Sequence, residues 1–298
     1  MPRRRSDPAG PAEPTSRGGR SYAWRMPTDP LADFETTSHR HDSTEHTVYR
    51  SGTGPAVVVL AEMPGITPKV AEFARLVRDR GFTVWMPHLF GRPGEPPSVG
   101  NYVRAIVPAC VSREFAAFAR GTTAPVSLWL RSLARRAHEE CGGPGVGAVG
   151  MCWTGGFALG MAVDPVMLAP VLSQPSLPIG ITRRHKEDLH LSPEDLSAVR
   201  ERAAEGQCVL GLRFTNDPLA PPERFASLRR ELGDSFIGVE IDSSPGNPWG
   251  IRKQAHSVLT EDLVADDPEH PTAKGLDQVL TFLCDRLLDR PDSPPSVT

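Results

Sequence analysis

The stretch Gly147–Gly156, which reads Gly-Ala-Val-Gly-Met-Cys-Trp-Thr-Gly-Gly, constrains this chain most. An apolar run of small residues, Val146 to Met151, stops at Cys152. A glycine-punctuated segment follows and continues as Phe157-Ala158-Leu159-Gly160-Met161-Ala162-Val163. This is the pattern of a buried strand turning sharply into a buried helix, with one cysteine at the corner. A strained turn that lifts a nucleophile above a sheet needs small neighbours on both sides. Gly150 stands two residues before Cys152 and Thr154 two after, with Gly155 and Gly156 one step late. A thiol at the start of a helix meets unpaired N–H groups and the positive end of the dipole, which favour thiolate. The alternative is a buried, inert cysteine.

The rest of the chain alternates in the same way. His46-Thr47-Val48-Tyr49 reads as a short strand. Ala56 to Ala61 is apolar throughout, as in a parallel strand buried on both faces. From Pro68 to Arg80 the residues Val70, Phe73, Ala74 and Val77 fall on one helical face, and Gly81 supplies the stop. Phe82 to Met86 is the next strand, so the three elements form a βαβ unit. Residues 91–100 read as loop and Ser112 to Arg120 as a short helix. A longer helix starts near Thr122-Thr123 and puts Val126, Trp129, Leu130, Leu133 and Ala137 on one side. After the Cys152 corner come a strand at Val166–Leu172 and a charged surface excursion over 173–192. Ser192 then caps a helix with Pro193 at its first position. Cys208–Phe214 and Phe236–Ile241 are strands, residues 222–232 a helix, and Leu276, Val279, Leu280 and Leu283 mark the closing helix. Strands alternating with helices imply an α/β fold: a mostly parallel sheet with helices on both faces, in a single domain.

The expected boundaries are a tail over 1–44, the α/β domain over 45–290 and a Pro/Ser tail over 291–298. Residues 1–44 are rich in Pro, Gly, Ser, Arg and Asp, with too little apolar surface to offset the entropy of ordering. His39, His41 and His46 cluster there without a cysteine or carboxylate at ligand spacing, so no metal is expected. No cofactor is implied either. With 33 basic and 36 acidic residues, charge gives no case for a nucleic-acid partner. No apolar stretch reaches membrane-spanning length, and Arg3-Arg4-Arg5 lacks the apolar region of a secretory signal. Five cysteines, an odd number without a Cys-x-x-Cys pair, fit reduced thiols and a cytoplasmic protein. A monomer or homodimer is expected.

In sheets of this kind ligands sit off the carboxyl ends of the strands. Glu62, Cys152 and Asp217 each fall just after an inferred strand, and His256 follows a longer loop. Acyl transfer would use Cys152 as nucleophile, His256 as proton acceptor and donor, and Asp217 to orient the imidazole. The backbone N–H groups of Met63 and Trp153 stand where an oxyanion could be held. Asp217 before a proline is also a common turn residue, and His256 could be an ordinary surface histidine. Glu62, after six apolar residues, is either a solvated strand end or a buried carboxylate able to take the thiol proton when substrate arrives.

The order nucleophile, acid, histidine is that of the α/β-hydrolases. The chain resembles the dienelactone hydrolases of that fold in Glu62-Met63-Pro64-Gly65-Ile66, Pro87-His88-Leu89-Phe90-Gly91-Arg92, Gly150-Met151-Cys152-Trp153-Thr154-Gly155-Gly156, Asn216-Asp217 and Ala255-His256-Ser257. The resemblance implies hydrolysis of a small-molecule carboxylic ester or lactone through a thioester, with Cys152, His256 and Asp217 as triad and Glu62 controlling the thiol. It also implies a pair of arginines that clamp a substrate carboxylate. Arg92 stands at the first position, but Thr260 occupies the second, which weakens the case for dienelactone itself. Two further departures are Thr154, where the turn often has glycine, and His88, where an aspartate is usual. The same thiol could serve a thioesterase or acyltransferase. A protein that kept the fold for binding alone is a third alternative, because fold by itself implies no chemistry.

Overall fold

The computed structural model describes residues 29–115, 121–176 and 182–288. Among the strands buried along their whole length are β3 (Ala56–Leu60), β5 (Val146–Met151) and β7 (Val209–Phe214), numbered in chain order. Successive side chains of a strand point to opposite faces, so β3 divides itself between two apolar layers. Val58 and Leu60 join Trp129, Leu130 and Leu133 of α3 (Pro125–Cys141) and Phe157 and Ala158 of α4 (Thr154–Met161). Val57 and Val59 join Val70, Phe73 and Val77 of α1 (Pro68–Arg78) and Val279, Leu280 and Leu283 of α8 (Pro271–Leu287). Helices cover both faces, which is why these strands are apolar throughout instead of alternating. Each fully buried Leu, Val or Phe removed from water contributes about 1.5–3 kcal/mol.

The remaining strands are β1 (Glu35–His41), β2 (Thr44–Gly52), β4 (Thr83–Pro87), β6 (Met167–Ser173) and β8 (Phe236–Ile241). One eight-stranded sheet runs β1-β2-β4-β3-β5-β6-β7-β8. Strands β4, β3, β5, β6, β7 and β8 pair parallel, while β1 and β2 form an antiparallel edge. The other helices are α2 (Val99–Val111), α5 (Arg183–Glu187), α6 (Pro193–Ala204) and α7 (Pro222–Leu232). Ser192 caps α6 as expected, its hydroxyl accepting the Asp195 N–H.

Three expectations change. The tail expected over 1–44 gives way at its end to β1 and the start of β2, and residues 1–28 lie outside the described residues. An edge strand needs few apolar side chains, and in β1 only His39 is buried. His39 and His46 flank Trp129 edge-on at 5.1 and 4.9 Å, so both pack against the domain and neither lies in a tail. His39 bonds Ser132 and His46 bonds Glu114. The helix expected over 112–120 is instead α2, upstream, with 112–115 in a turn and 116–120 outside the described residues. Pro108 lies inside α2, and Val99, Val103, Val107 and Val111 on it are exposed, so α2 lacks the apolar-in, polar-out pattern that marks a helix in sequence. The surface excursion over 173–192 turns inward at both ends: Gln174, Ser176 and His190 are buried. Residues 177–181 and the tail expected over 291–298 also lie outside the described residues.

Candidate active site

Cys152 follows β5 directly and has φ of 57°, a left-handed conformation that costs a residue with a side chain about 1–3 kcal/mol. The corner tolerates this because α4 starts at once and its neighbours are small. A Cβ on Gly150 would come within 2.3 Å of Thr154 O and 2.8 Å of Ala158 Cβ, so only glycine allows the helix this close to the strand. The fully buried Thr154 accepts the Met151 N–H at 2.8 Å. Its hydroxyl lies within donating distance of Met151 O, at 2.8 Å, and of Leu60 O, at 3.0 Å. The threonine that departs from the glycine pattern thus ties the end of β3 to the turn after β5.

Two of the expected partners meet here. His256 Nδ1 donates to Asp217 Oδ2 at 2.6 Å, and the Asp217 side chain is wholly buried. Nε2 of His256 is buried without a hydrogen-bond partner among the described residues, while the Cys152 sulfur lies 2.8 Å from Ser176 Oγ. Burial alone would lower the imidazole's pKa. The negative charge of a Cys152 thiolate and the bond to Asp217 outweigh it and raise His256 to about 11. The sulfur thus stands within electrostatic reach of the imidazole while its hydrogen bond goes to Ser176. Asp262 was not anticipated: its Oδ2 accepts the N–H groups of His256 and Ser257 at 2.8 and 3.1 Å, and Arg252 pairs with it.

Glu62 is buried off the end of β3 and does not bond the thiol. Its carboxylate accepts from Ser257 Oγ at 2.7 Å, from Gln174 Nε2 at 3.1 Å and from Thr260 Oγ1. Three neutral donors therefore satisfy a charge that would be costly to bury alone. Thr260, at the position of the second clamp arginine in the resembling family, is one of them. The structure does not bring Arg92 to this group: its side chain is 64% exposed and pairs with Glu95 at 3.4 Å. His88, at the usual aspartate position, donates from Nε2 to Gly91 O at 3.0 Å and so shapes the loop that carries Arg92.

Tyr102, Phe115, Gln174 and Ser176 near the site had no sequence signal. Tyr102 of α2 has its phenol pushed up to about 12, first by burial and then by the charges of Glu62 and Cys152. Trp153 stacks on Phe90 at 5.8 Å and packs against Phe115 and Phe157, which gives the corner an aromatic wall. Ser176 and Gln174 come from the segment after β6, where no periodicity distinguishes site residues from surface. None of the five cysteines is in a disulfide. No helix among the described residues is long and apolar enough to cross a membrane.

The solved structures that resemble this chain share its fold. A dienelactone hydrolase from Anabaena variabilis ATCC 29413 is 13% identical with TM-score 0.55, covering 85% of this chain and 98% of its own. A dienelactone hydrolase-like promiscuous phosphotriesterase from metagenomic libraries is 16% identical with TM-score 0.55, covering 85% and 98%. A cold-adapted esterase from an Arctic intertidal metagenomic library is 16% identical with TM-score 0.54, covering 85% and 94%. At such identities the likeness shows the fold. No curated protein matches the sequence. The family profile for dienelactone hydrolases matches residues 46–257, from the start of β2 through the catalytic histidine candidate, which is more than two thirds of the chain. The chain belongs to the dienelactone hydrolase family, carboxylic-ester hydrolases of the α/β-hydrolase fold.

Proposed function

We propose that the protein hydrolyses a small-molecule carboxylic ester or lactone through a thioester on Cys152, with His256 and Asp217 completing the triad. The observation that carries this is the His256–Asp217 pair: its outer nitrogen has no hydrogen-bond partner among the described residues and its charge responds to the Cys152 sulfur. The sulfur attacks the carbonyl carbon, the bond to the leaving oxygen breaks, and that oxygen takes the proton held by His256. Water, deprotonated by the same imidazole, then cleaves the thioester and restores the thiol. Asp217 keeps the ring in the tautomer that presents Nε2.

Backbone N–H groups of Met63 and Trp153 are the oxyanion donors in this scheme. Nearby bonds leave both unused among the described residues: Cys152 N–H goes to Ser173 O, Gly155 N–H to Cys152 O and Gly65 N–H to Glu62 O. One such donor is commonly worth about 3 kcal/mol in the transition state. Glu62 acts here by fixing the Ser257–Thr260 turn beside His256, and it exchanges with the thiol only when its own donors let go. Cysteines without disulfides fit the reducing conditions of a cytoplasm.

Turnover of small aryl esters tests the scheme. It should be abolished in Cys152→Ala, and Cys152 should label with iodoacetamide far faster than the other four cysteines. Equal labelling of all five, or full turnover in Cys152→Ala, would defeat it. Faster turnover of acyl thioesters than of oxygen esters would favour a thioesterase on the same thiol.

A further inference from the structure

The geometry points to Arg224, in the first turn of α7 off the carboxyl end of β7, as a buried anchor for a carboxylate carried by the substrate of the Cys152 nucleophile on which this inference depends. Among the described residues four arginines are buried: Arg75, Arg131, Arg213 and Arg224. Three have a carboxylate partner, namely Asp33 for Arg75, Asp195 for Arg131 and Glu240 for Arg213. Arg224 has none among the described residues. Its Nε is buried without a partner, and its one hydrogen bond among them is a long 3.4 Å from Nη2 to His185 O. A guanidinium sealed from water without a counter-ion is costly, and an arriving anion removes that cost.

The placement ties this cation to the reaction. Arg224 is the third residue of α7, the helix entered directly from the Asp217 turn at the carboxyl end of β7. Burial lowers its pKa to about 10, opposed by the negative charges of Asp188 and Cys152, so it stays charged at neutral pH and feels the nucleophile. Asp188 is already engaged: it accepts the His190 N–H at 2.7 Å and the Gly121 N–H at 3.0 Å. His190 closes the other side, its ring 3.7 Å from where a Cβ on Gly156, in the first turn of α4, would stand. Burial and then the Arg224 cation push its pKa down to about 4, so His190 supplies no second positive charge.

One cation beside a neutral imidazole suits a singly charged ligand. A planar guanidinium presents paired donors that match the two oxygens of a carboxylate, whereas a phosphate dianion would leave one charge buried and unanswered. The anchor comes from α7, not from the positions of the family's arginine clamp: Arg92 is exposed and Thr260 is bonded to Glu62. Thioester formation also changes the charge around it. Once sulfur has bonded to the acyl carbon and the leaving oxygen has taken the proton from His256, the thiolate charge is gone. The substrate carboxylate then remains as the counter-ion of Arg224 and holds the acyl group while water enters.

Alkylation with iodoacetate and with iodoacetamide, nearly isosteric reagents that differ by one negative charge, tests this without requiring turnover. The iodoacetate-to-iodoacetamide rate ratio at Cys152, read by peptide mass spectrometry, should exceed that at the other four cysteines by roughly tenfold. It should fall to their level in Arg224→Gln and be partly kept in Arg224→Lys. The wild-type comparison among cysteines stands even if Arg224→Gln does not fold. A rapidly labelled Cys152 with no preference for the anion, or a preference that survives Arg224→Gln, overturns the anchor alone. A Cys152 that labels no faster than the others with either reagent overturns the anchor together with the nucleophile assignment.

Discussion

The Cys152 sulfur is 2.8 Å from the Ser176 hydroxyl, and the His256 nitrogen that would share its proton has no hydrogen-bond partner among the described residues. Sulfur and imidazole nonetheless act on one another, because the thiolate charge is the largest influence that raises His256. Removal of the sulfur should therefore let the ring titrate much closer to its ordinary value. In Cys152→Ala, the His256 imidazole resonance followed by NMR should titrate well below its wild-type midpoint. An unchanged midpoint would mean that Asp217 alone holds the proton.

Gly150→Ala should be among the most damaging single substitutions. The added methyl would meet backbone oxygen at 2.3 Å, and neither β5 nor α4 can retreat without opening the core. Overpacking of this kind costs about 1–3 kcal/mol. Urea unfolding should show that loss, and aryl-ester turnover should fall further than stability alone explains if the corner carries the proposed nucleophile.

Asp262 positions His256 by accepting two consecutive backbone N–H groups. Asp262→Ala should lower kcat by roughly tenfold, the order of change expected when a catalytic group is misplaced, while KM changes little. Arg252→Met removes only the exposed partner of Asp262 and should have a much smaller effect. Equal effects of the two substitutions would show that the ion pair, and not the backbone contact, fixes the loop.

Thr260→Val keeps the shape but takes one donor from the buried Glu62 carboxylate. An unsatisfied buried acceptor costs about 1–3 kcal/mol, and more when charged. Thermal unfolding should detect it, with Thr260→Ser close to wild type. Stability unchanged in Thr260→Val would mean that Ser257 and Gln174 suffice.

Asp33 joins the chain before β1 to α1 through Arg75 and Arg78. Its pKa is lowered to about 2, chiefly by the bond from Arg75 against the opposing effect of burial. A depressed carboxylate contributes stability above its unfolded value, near 3.8, and loses it as pH falls through about 2. Asp33→Asn should destabilise by about 1 kcal/mol at pH 7, a figure kept small because the side chain is 38% exposed. The gap between variant and wild type should close as the pH approaches 2.

Much of the fold was legible because its strands are buried on both faces and its helices on one. Val70, Phe73, Ala74 and Val77 mark α1, and the fully apolar runs mark β3 and β5. The strand-to-helix corner at Cys152 was legible from its small residues, and the His256–Asp217 contact from chain order. Polar partners were not. Ser176 and Asp262 come from segments with no periodic signal, and Arg224, although on the expected helix, reads like any surface arginine until burial is known. Edge strand β1 was hidden for a related reason: an exposed strand needs no apolar alternation. Helix α2 was obscured by Pro108 and by valines that face outward.

Thr154 bonds both to Leu60 at the tip of β3 and to Met151 at the tip of β5. Those tips lead directly to Met63 and Trp153, the two amides assigned to the oxyanion. A single hydroxyl therefore acts as a rivet between the two strand ends and, in the proposed mechanism, would fix the gap across which a developing charge is shared. A glycine at this position would free the turn and leave the two amides to find their spacing with each substrate.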